Sequence, residues 1–130
     1  NHVRRETHDE RELWVHRKGA LPAADGEAGV IPGSMGSRSF HVEGRGHAAS
    51  LCSSSHGAGR TMSRQEAARN IRLRDLERQM QGIWYDHRRS HALRDEAPSA
   101  YKDVSAVMRA QKDLTCVTRE LRPLLCFKGT

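Results

Sequence analysis

Aromatic residues are scarce in this chain, with two Phe, two Trp and two Tyr among 130 residues. Only 36% of residues are hydrophobic and the mean hydropathy is -0.77. The chain therefore suits one domain with a small core rather than several. No apolar run approaches the roughly 18–20 residues that a membrane-spanning helix needs, and no signal-peptide pattern opens the chain. A soluble cytoplasmic protein with no membrane partner is the expectation. The three cysteines, Cys52, Cys116 and Cys126, are an odd number without CxxC spacing. That argues against a disulfide scaffold and fits free thiols in a reducing compartment. The eight histidines form neither an HExxH motif nor a closed Cys/His zinc framework. Cys52 and His56 lie four apart, but two ligands rarely make a metal site. No internal repeat or low-complexity segment occurs.

Positive charge is what the chain has in excess. Lys and Arg number 22 against 16 Asp and Glu, giving a net charge of +6 and a pI near 9.8. A polyanionic partner such as nucleic acid or a nucleotide fits this balance, although charge alone does not separate such a protein from a basic soluble domain.

The first half is punctuated by Gly, Pro and Ser. Short strands are expected at Leu13-Trp14-Val15, Gly29-Val30-Ile31, Ser39-Phe40-His41-Val42 and Ala49-Ser50-Leu51-Cys52. Past Arg60 the pattern changes. Ser63-Arg64-Gln65-Glu66 reads as a capping box opening a helix that carries Ala67, Ile71 and Met80 to Gly82. His87 to Pro98 reads as a polar surface loop. A second helix is expected from Asp103 to Leu121, with Val107, Ala110, Leu114, Val117 and Leu121 on one face. Pro123 would end it, and Leu124-Leu125-Cys126-Phe127 reads as a buried terminal strand. The class is α+β, a β-rich first half followed by two helices and a terminal strand.

Two small-residue loops carry the candidate chemistry. Ser53-Ser54-Ser55-His56-Gly57-Ala58-Gly59-Arg60 frames one imidazole between hydroxyls and a Gly-Ala-Gly turn. Small residues let backbone N–H groups come close to an anion, so His56 could present a ring nitrogen to a phosphorus atom. Ile31-Pro32-Gly33-Ser34-Met35-Gly36 is the second loop, although such composition is also common in plain hairpins. Arg17 and Lys18, beside a turn, are candidates for phosphate contact or simply a solvated strand end.

Taken together these segments resemble the RtcB family of RNA-splicing ligases. The resemblance rests on Glu6-Thr7-His8, the run from Leu13 to Ala20 that contains His16-Arg17-Lys18-Gly19, Gly29 to Gly36, Ser53 to Arg64, Ala100-Tyr101-Lys102-Asp103-Val104, Leu121-Arg122-Pro123-Leu124 and Lys128-Gly129. It spans the whole chain in order. It implies that residues 1–130 are the carboxy-terminal part of a single α+β catalytic domain. It further implies a GTP- and Mn²⁺-dependent ligase joining RNA 2′,3′-cyclic phosphate or 3′-phosphate ends to 5′-hydroxyl ends in tRNA splicing or RNA repair. His56 occupies the place of the histidine that becomes guanylylated. By the same resemblance Asn1, Pro32, Gly33, Ser34, Met35, Ser39, Gly57, Ala58, Gly59, Tyr101 and Lys128 would contact the nucleotide, with Tyr101 and Lys128 at the guanine.

The implied partners are GTP and RNA, either tRNA halves or broken RNA, with a monomer at full length and the need for an activating protein left open. The start at Asn1 leads to the expectation of a fragment. The family's metal-binding histidine would directly precede Asn1 and the other ligands would lie further upstream, so no metal ligand is assigned here and the fragment alone should be inactive. The alternative is a relative that holds nucleotide or RNA without ligating it.

Overall fold

The structure, a computed structural model, describes residues 1–128. Gly129, part of the last matching motif, lies outside them. Among the described residues seven strands come in three small antiparallel sheets. β1 (His2–His8) pairs with β2 (Arg11–Arg17) as a hairpin, from His2 opposite Arg17 to His8 opposite Arg11. Its two-residue turn holds Asp9 and Glu10 at φ 47° and 62°, the conformation that matches the strand twist of a tight hairpin. β3 (Ala20–Pro22) pairs with β6 (Ser53–Ser55). The third sheet runs β4 (Ala28–Pro32), β5 (Ser39–Gly44), β7 (Thr115–Leu121). Four short helices complete the fold: α1 (Arg64–Asn70), α2 (Leu73–Gln79), α3 (Ser90–Leu93) and α4 (Val104–Ala110). The fold is α+β, with a β-rich first half, helices after it and a strand near the end. Among the described residues no helix is long and apolar enough to cross a membrane.

The apolar residues divide into two clusters. One, beneath the three-stranded sheet, joins Ile31, Phe40 and Val42 to Ala58, Val104 and Met108. The other is helical and gathers Met35, Ala67, Ile71, Leu76, Met80, Tyr85, Leu93 and Ala97 among others. Tyr101 packs against both. Its ring therefore marks the seam between the two halves of the core.

Several boundaries depart from the sequence reading. The capping box is present, with the Ser63 hydroxyl accepting from the Glu66 N–H and the Glu66 carboxylate accepting from the Ser63 N–H. The helix it opens stops at Asn70, however, and Ile71 and Arg72 are extended. The reason is phase. In an unbroken helix the five steps from Ile71 to Leu76 would turn the apolar stripe by about 140°, and the break lets both Ala67/Ile71 and Leu76/Met80 face one core.

The second expected helix ends at Ala110, and residues 115–121 form β7 on the edge of β5. The β-branched Thr115 and Val117 gain ladder partners in Gly44 and Val42, with Thr118 the extra residue of a bulge, and this pairing outweighs a coincidental helical period. Residues 48–50 make a 3₁₀ turn rather than a strand, followed by Leu51 and Cys52 at φ 50° and 48°. His87 to Pro98 is helical and buries Ser90, Leu93, Glu96 and Ala97 rather than forming a surface loop. Leu124, Leu125 and Phe127 are exposed, and Leu125 makes only an isolated bridge to Trp84.

Candidate functional site

His56 takes its position from the β3–β6 pairing. Ser55 lies opposite Ala20, and the His56 N–H reaches the Gly19 carbonyl at 3.4 Å. Gly19 is required there by its φ of +73°, since a Cβ would make only ordinary contact with the imidazole at 3.8 Å. After His56 the chain crosses to the end of β4, where the Ala58 N–H donates to the Pro32 carbonyl at 3.1 Å. Gly57 passes so close that a Cβ would sit 3.2 Å from that same oxygen. The second loop is closed on itself by Gly33 N–H to Arg38 carbonyl at 3.1 Å and Ser37 N–H to Ser34 carbonyl at 3.2 Å. Met35 anchors it in the helical core.

Gly59 and Thr61 then stitch the His56 run to the segment around Tyr101. The Lys102 N–H donates to the Gly59 carbonyl and the Thr61 N–H to the Ala100 carbonyl, both at 3.0 Å. Two loops and a helix entrance, far apart in sequence, thus share one wall.

That wall encloses a cleft of about 630 Å³, lined by residues 32–35, 56–59, Tyr101 and Lys128, together with Arg60, Glu96 and Cys126. Ten of the expected nucleotide contacts therefore come together. Two do not line it. Ser39 stands one strand away, opposite Pro32 in the β4–β5 ladder, and Asn1 is exposed before β1, which pairs with β2 alone. Arg17 is also absent from the wall and is not free for a phosphate. It is 3% exposed and donates to Glu6, Ser53 and the Leu51 carbonyl. Lys18 beside it is exposed. Among the described residues no group of three or more His, Cys, Asp or Glu could hold a metal ion, Cys52 and His56 included.

Three wall residues carried no assigned role in the sequence reading, and Glu96 is the most consequential. Its carboxylate accepts from the Tyr101 hydroxyl at 2.7 Å and from Lys128 Nζ at 2.9 Å. Arg64 Nη1 reaches its other oxygen at 2.7 Å, and Arg60 Nη1 lies 3.7 Å from that oxygen. Arg60 also donates to the Tyr101 hydroxyl at 3.1 Å and lies 4.8 Å from its ring centre. Burial pushes the Glu96 carboxyl up, but the hydrogen bonds from Lys128 and Tyr101 and the charges of Lys128 and Arg64 prevail and hold it below the usual range. The same bond holds the Lys128 ammonium above its ordinary value. Burial, then the bond to Glu96, raises the Tyr101 phenol. At neutral pH the wall thus holds a charged carboxylate, charged Lys and Arg, and a neutral phenol. Arg60, at least, had a signal in the sequence, since it ends the His-Gly-Ala-Gly run.

Chemically the cleft offers an exposed imidazole, close-approach backbone, cations and an aromatic ring. These suit a phosphate-bearing ligand with a planar base. A sequence profile of the family described as "tRNA-splicing ligase RtcB" matches residues 1–129. Over 129 residues the chain is 46% identical to the RNA-splicing ligase RtcB of Escherichia coli strain K12, covering 99% of this chain and 31% of that one. It is 36% identical to the RNA-splicing ligase RtcB of Mycobacterium tuberculosis, covering 92% of this chain and 32% of that one. To the tRNA-splicing ligase RtcB of Pyrobaculum aerophilum it is 35% identical, covering 98% and 30%. The chain spans about a third of the length of these curated relatives.

Proposed function

The chain belongs to the tRNA-splicing ligase RtcB family, and on that premise we propose that its cleft accepts guanylate from GTP on the way to joining RNA ends. The observation that carries this reading is the convergence of residues 32–35, 56–59, Tyr101 and Lys128 on one cavity. In the proposed sequence an unprotonated ring nitrogen of His56 attacks the α-phosphorus of GTP, a P–N bond forms and pyrophosphate leaves. An oxygen of the RNA 3′-phosphate then attacks the same phosphorus, and the His56 nitrogen departs. The 5′-hydroxyl of the second RNA, losing its proton, attacks the 3′-phosphate phosphorus and expels GMP. Each step exchanges one bond to phosphorus for another, the economy of covalent catalysis.

The chain's own contributions are positional. Gly33 and Gly57 let the two loops pack closely enough to form the wall, and the open Gly59 leaves room for the phosphates and ribose. Tyr101 presents a ring face to the base and Lys128 an N–H donor to a base acceptor. Arg60, Arg64 and Lys128 outnumber Glu96 and Asp95 around the wall, which favours a polyphosphate there. The manganese ion implied by the resemblance has no ligand cluster among the described residues, and under this reading its ligands belong to the rest of the protein. The segment alone then carries no ligase activity.

The test is transfer of label from α-phosphate-radiolabelled GTP, with Mn²⁺, to the complete protein. An acid-labile, alkali-stable adduct is expected, and His56→Ala should abolish it. Label retained by that variant overturns the assignment, and GTP binding without any adduct favours a non-ligating relative.

A further inference from the structure

Glu96 is the only carboxylate among the described residues lining the cleft, and nothing in the reaction as written uses it. It is 7% exposed. Burying a carboxylate among cations is a poor way to gain stability, because desolvation offsets most of the attraction. What the arrangement achieves is geometric. One carboxylate oxygen receives both the Tyr101 hydroxyl and Lys128 Nζ, while Arg64 holds the other oxygen from α1. Two groups expected at the base are therefore tied to one atom.

The tail that carries Lys128 makes this tie matter. Leu124, Leu125 and Phe127 are 81%, 60% and 73% exposed, which leaves Cys126, packed against the helical core, as the tail's apolar anchor. Backbone groups hold it as well: the Trp84 N–H donates to the Leu124 carbonyl, the Cys126 N–H to the Trp84 carbonyl and Arg89 to the Lys128 carbonyl. These set the path of the main chain and leave the four-carbon stem of Lys128 to be aimed by its tip. We infer that Glu96 is a positioning residue for nucleotide binding, its carboxylate aiming Lys128 and the Tyr101 hydroxyl at the base before the nucleotide arrives. Holding a rotamer-rich side chain in place beforehand removes an ordering cost from binding. The inference rests on the reading of the cleft as the nucleotide site.

Guanylylation of the complete protein over a range of GTP concentrations tests it, using wild type, Glu96→Gln, Lys128→Ala and the double variant. Glu96→Gln keeps the size but removes the charge. It should raise the half-saturating GTP concentration about tenfold, the ratio expected for loss of a charge-assisted contact, with the saturating rate within about twofold of wild type. In the Lys128→Ala background the same change should add less than about threefold, because only the hold on the Tyr101 hydroxyl is left for it to remove. Glu96→Asp, which keeps the charge, should recover part of the loss, and it carries the cycle if thermal melting finds Glu96→Gln unfolded. Equal effects with and without Lys128, or a fall in the saturating rate alone, overturn the inference. A wild type that takes no label, or a His56→Ala variant that keeps it, rejects instead the reading of the cleft.

Discussion

Replacing Arg17 by Met should loosen the strand that leads into His56, and the structure sets the size of the effect. The Arg17 guanidinium donates twice to Glu6, at 2.6 and 2.8 Å, and once each to Ser53 Oγ and the Leu51 carbonyl at 2.8 Å. The bond from Arg17, against the opposing effect of burial and with help from His8, lowers the Glu6 carboxyl from 4.5 to about 2. Such a shift corresponds to roughly 3 kcal/mol. The Glu6 side chain keeps 19% exposure beside an open cavity, so screening should reduce its share in stability to about 2 kcal/mol.

Glu6→Gln should lose about that much. The sign follows from the lowered value: the contribution is full above 4.5 and fades as pH falls toward about 2. The melting gap between wild type and Glu6→Gln should therefore be constant above about pH 6 and close below it. Arg17→Met strands the Glu6 carboxylate, while the Leu51 carbonyl keeps the Ser53 hydroxyl at 3.0 Å, and should cost roughly 3–5 kcal/mol. Glu6→Leu combined with Arg17→Met leaves no stranded charge and should recover most of that loss.

The double variant still lacks the Arg17 bonds to Ser53 and to the Leu51 carbonyl, which then keeps the Ser53 hydroxyl alone. Leu51 and Cys52 are held left-handed immediately before β6, a conformation that costs roughly 1–2 kcal/mol for each side-chain-bearing residue. Their backbone stays tied, with the Cys52 N–H on the His47 carbonyl and the Ala23 N–H on the Cys52 carbonyl, so the loosened Ser53 should shift His56 only slightly and slow guanylylation several-fold, up to about tenfold, even where the fold is intact. Thermal melts of the complete protein alongside labelling rates from GTP separate the two effects. An Arg17→Met protein that melts like wild type refutes the clamp, and a double variant that labels at the wild-type rate refutes its link to His56.

Gly33→Ala would place a Cβ 2.5 Å from the Arg38 carbonyl and 2.8 Å from Ser37 Cβ. It should cost roughly 1–3 kcal/mol and raise the half-saturating GTP concentration; unchanged saturation would mean that the loop does not face the nucleotide. Ser63→Ala removes the acceptor for the Glu66 N–H and should cost about 1 kcal/mol. It should leave the labelling rate at saturating GTP unchanged, so a lost adduct in a folded variant would tie α1 to the chemistry more closely than its cap requires.

Local signals in the sequence were reliable where one interaction decides the outcome. Ser63 and Glu66 form their box because both partners lie within one turn, and Gly29-Val30-Ile31 and Ser39-Phe40-His41-Val42 form strands because Ile31, Phe40 and Val42 need the same core. The reading failed where a distant partner decides. Residues 115–121 satisfy a helical period as well as a strand one, and only the free edge of β5 selects the strand. The break at Ile71 and Arg72 likewise depends on where the helical core lies, which a one-dimensional period does not contain.

The candidate site shows the same division. His56, the Pro32 loop and the Gly-Ala-Gly turn are contiguous, so their residue types announce themselves. Glu96 sits in a polar stretch, Arg94-Asp95-Glu96, that reads as solvated surface. A carboxylate is buried only when several donors surround it, and the charged ones come from 32 residues before it, Arg64, and 32 residues after it, Lys128. No spacing rule links them. The surroundings that concealed Glu96 in the sequence also restrict it in the fold: bound from both sides, it has little freedom to move, and the lysine and tyrosine tied to it inherit that restriction. Geometry of this kind, rather than added attraction, is what an acidic residue contributes to a wall that must otherwise favour a polyanion.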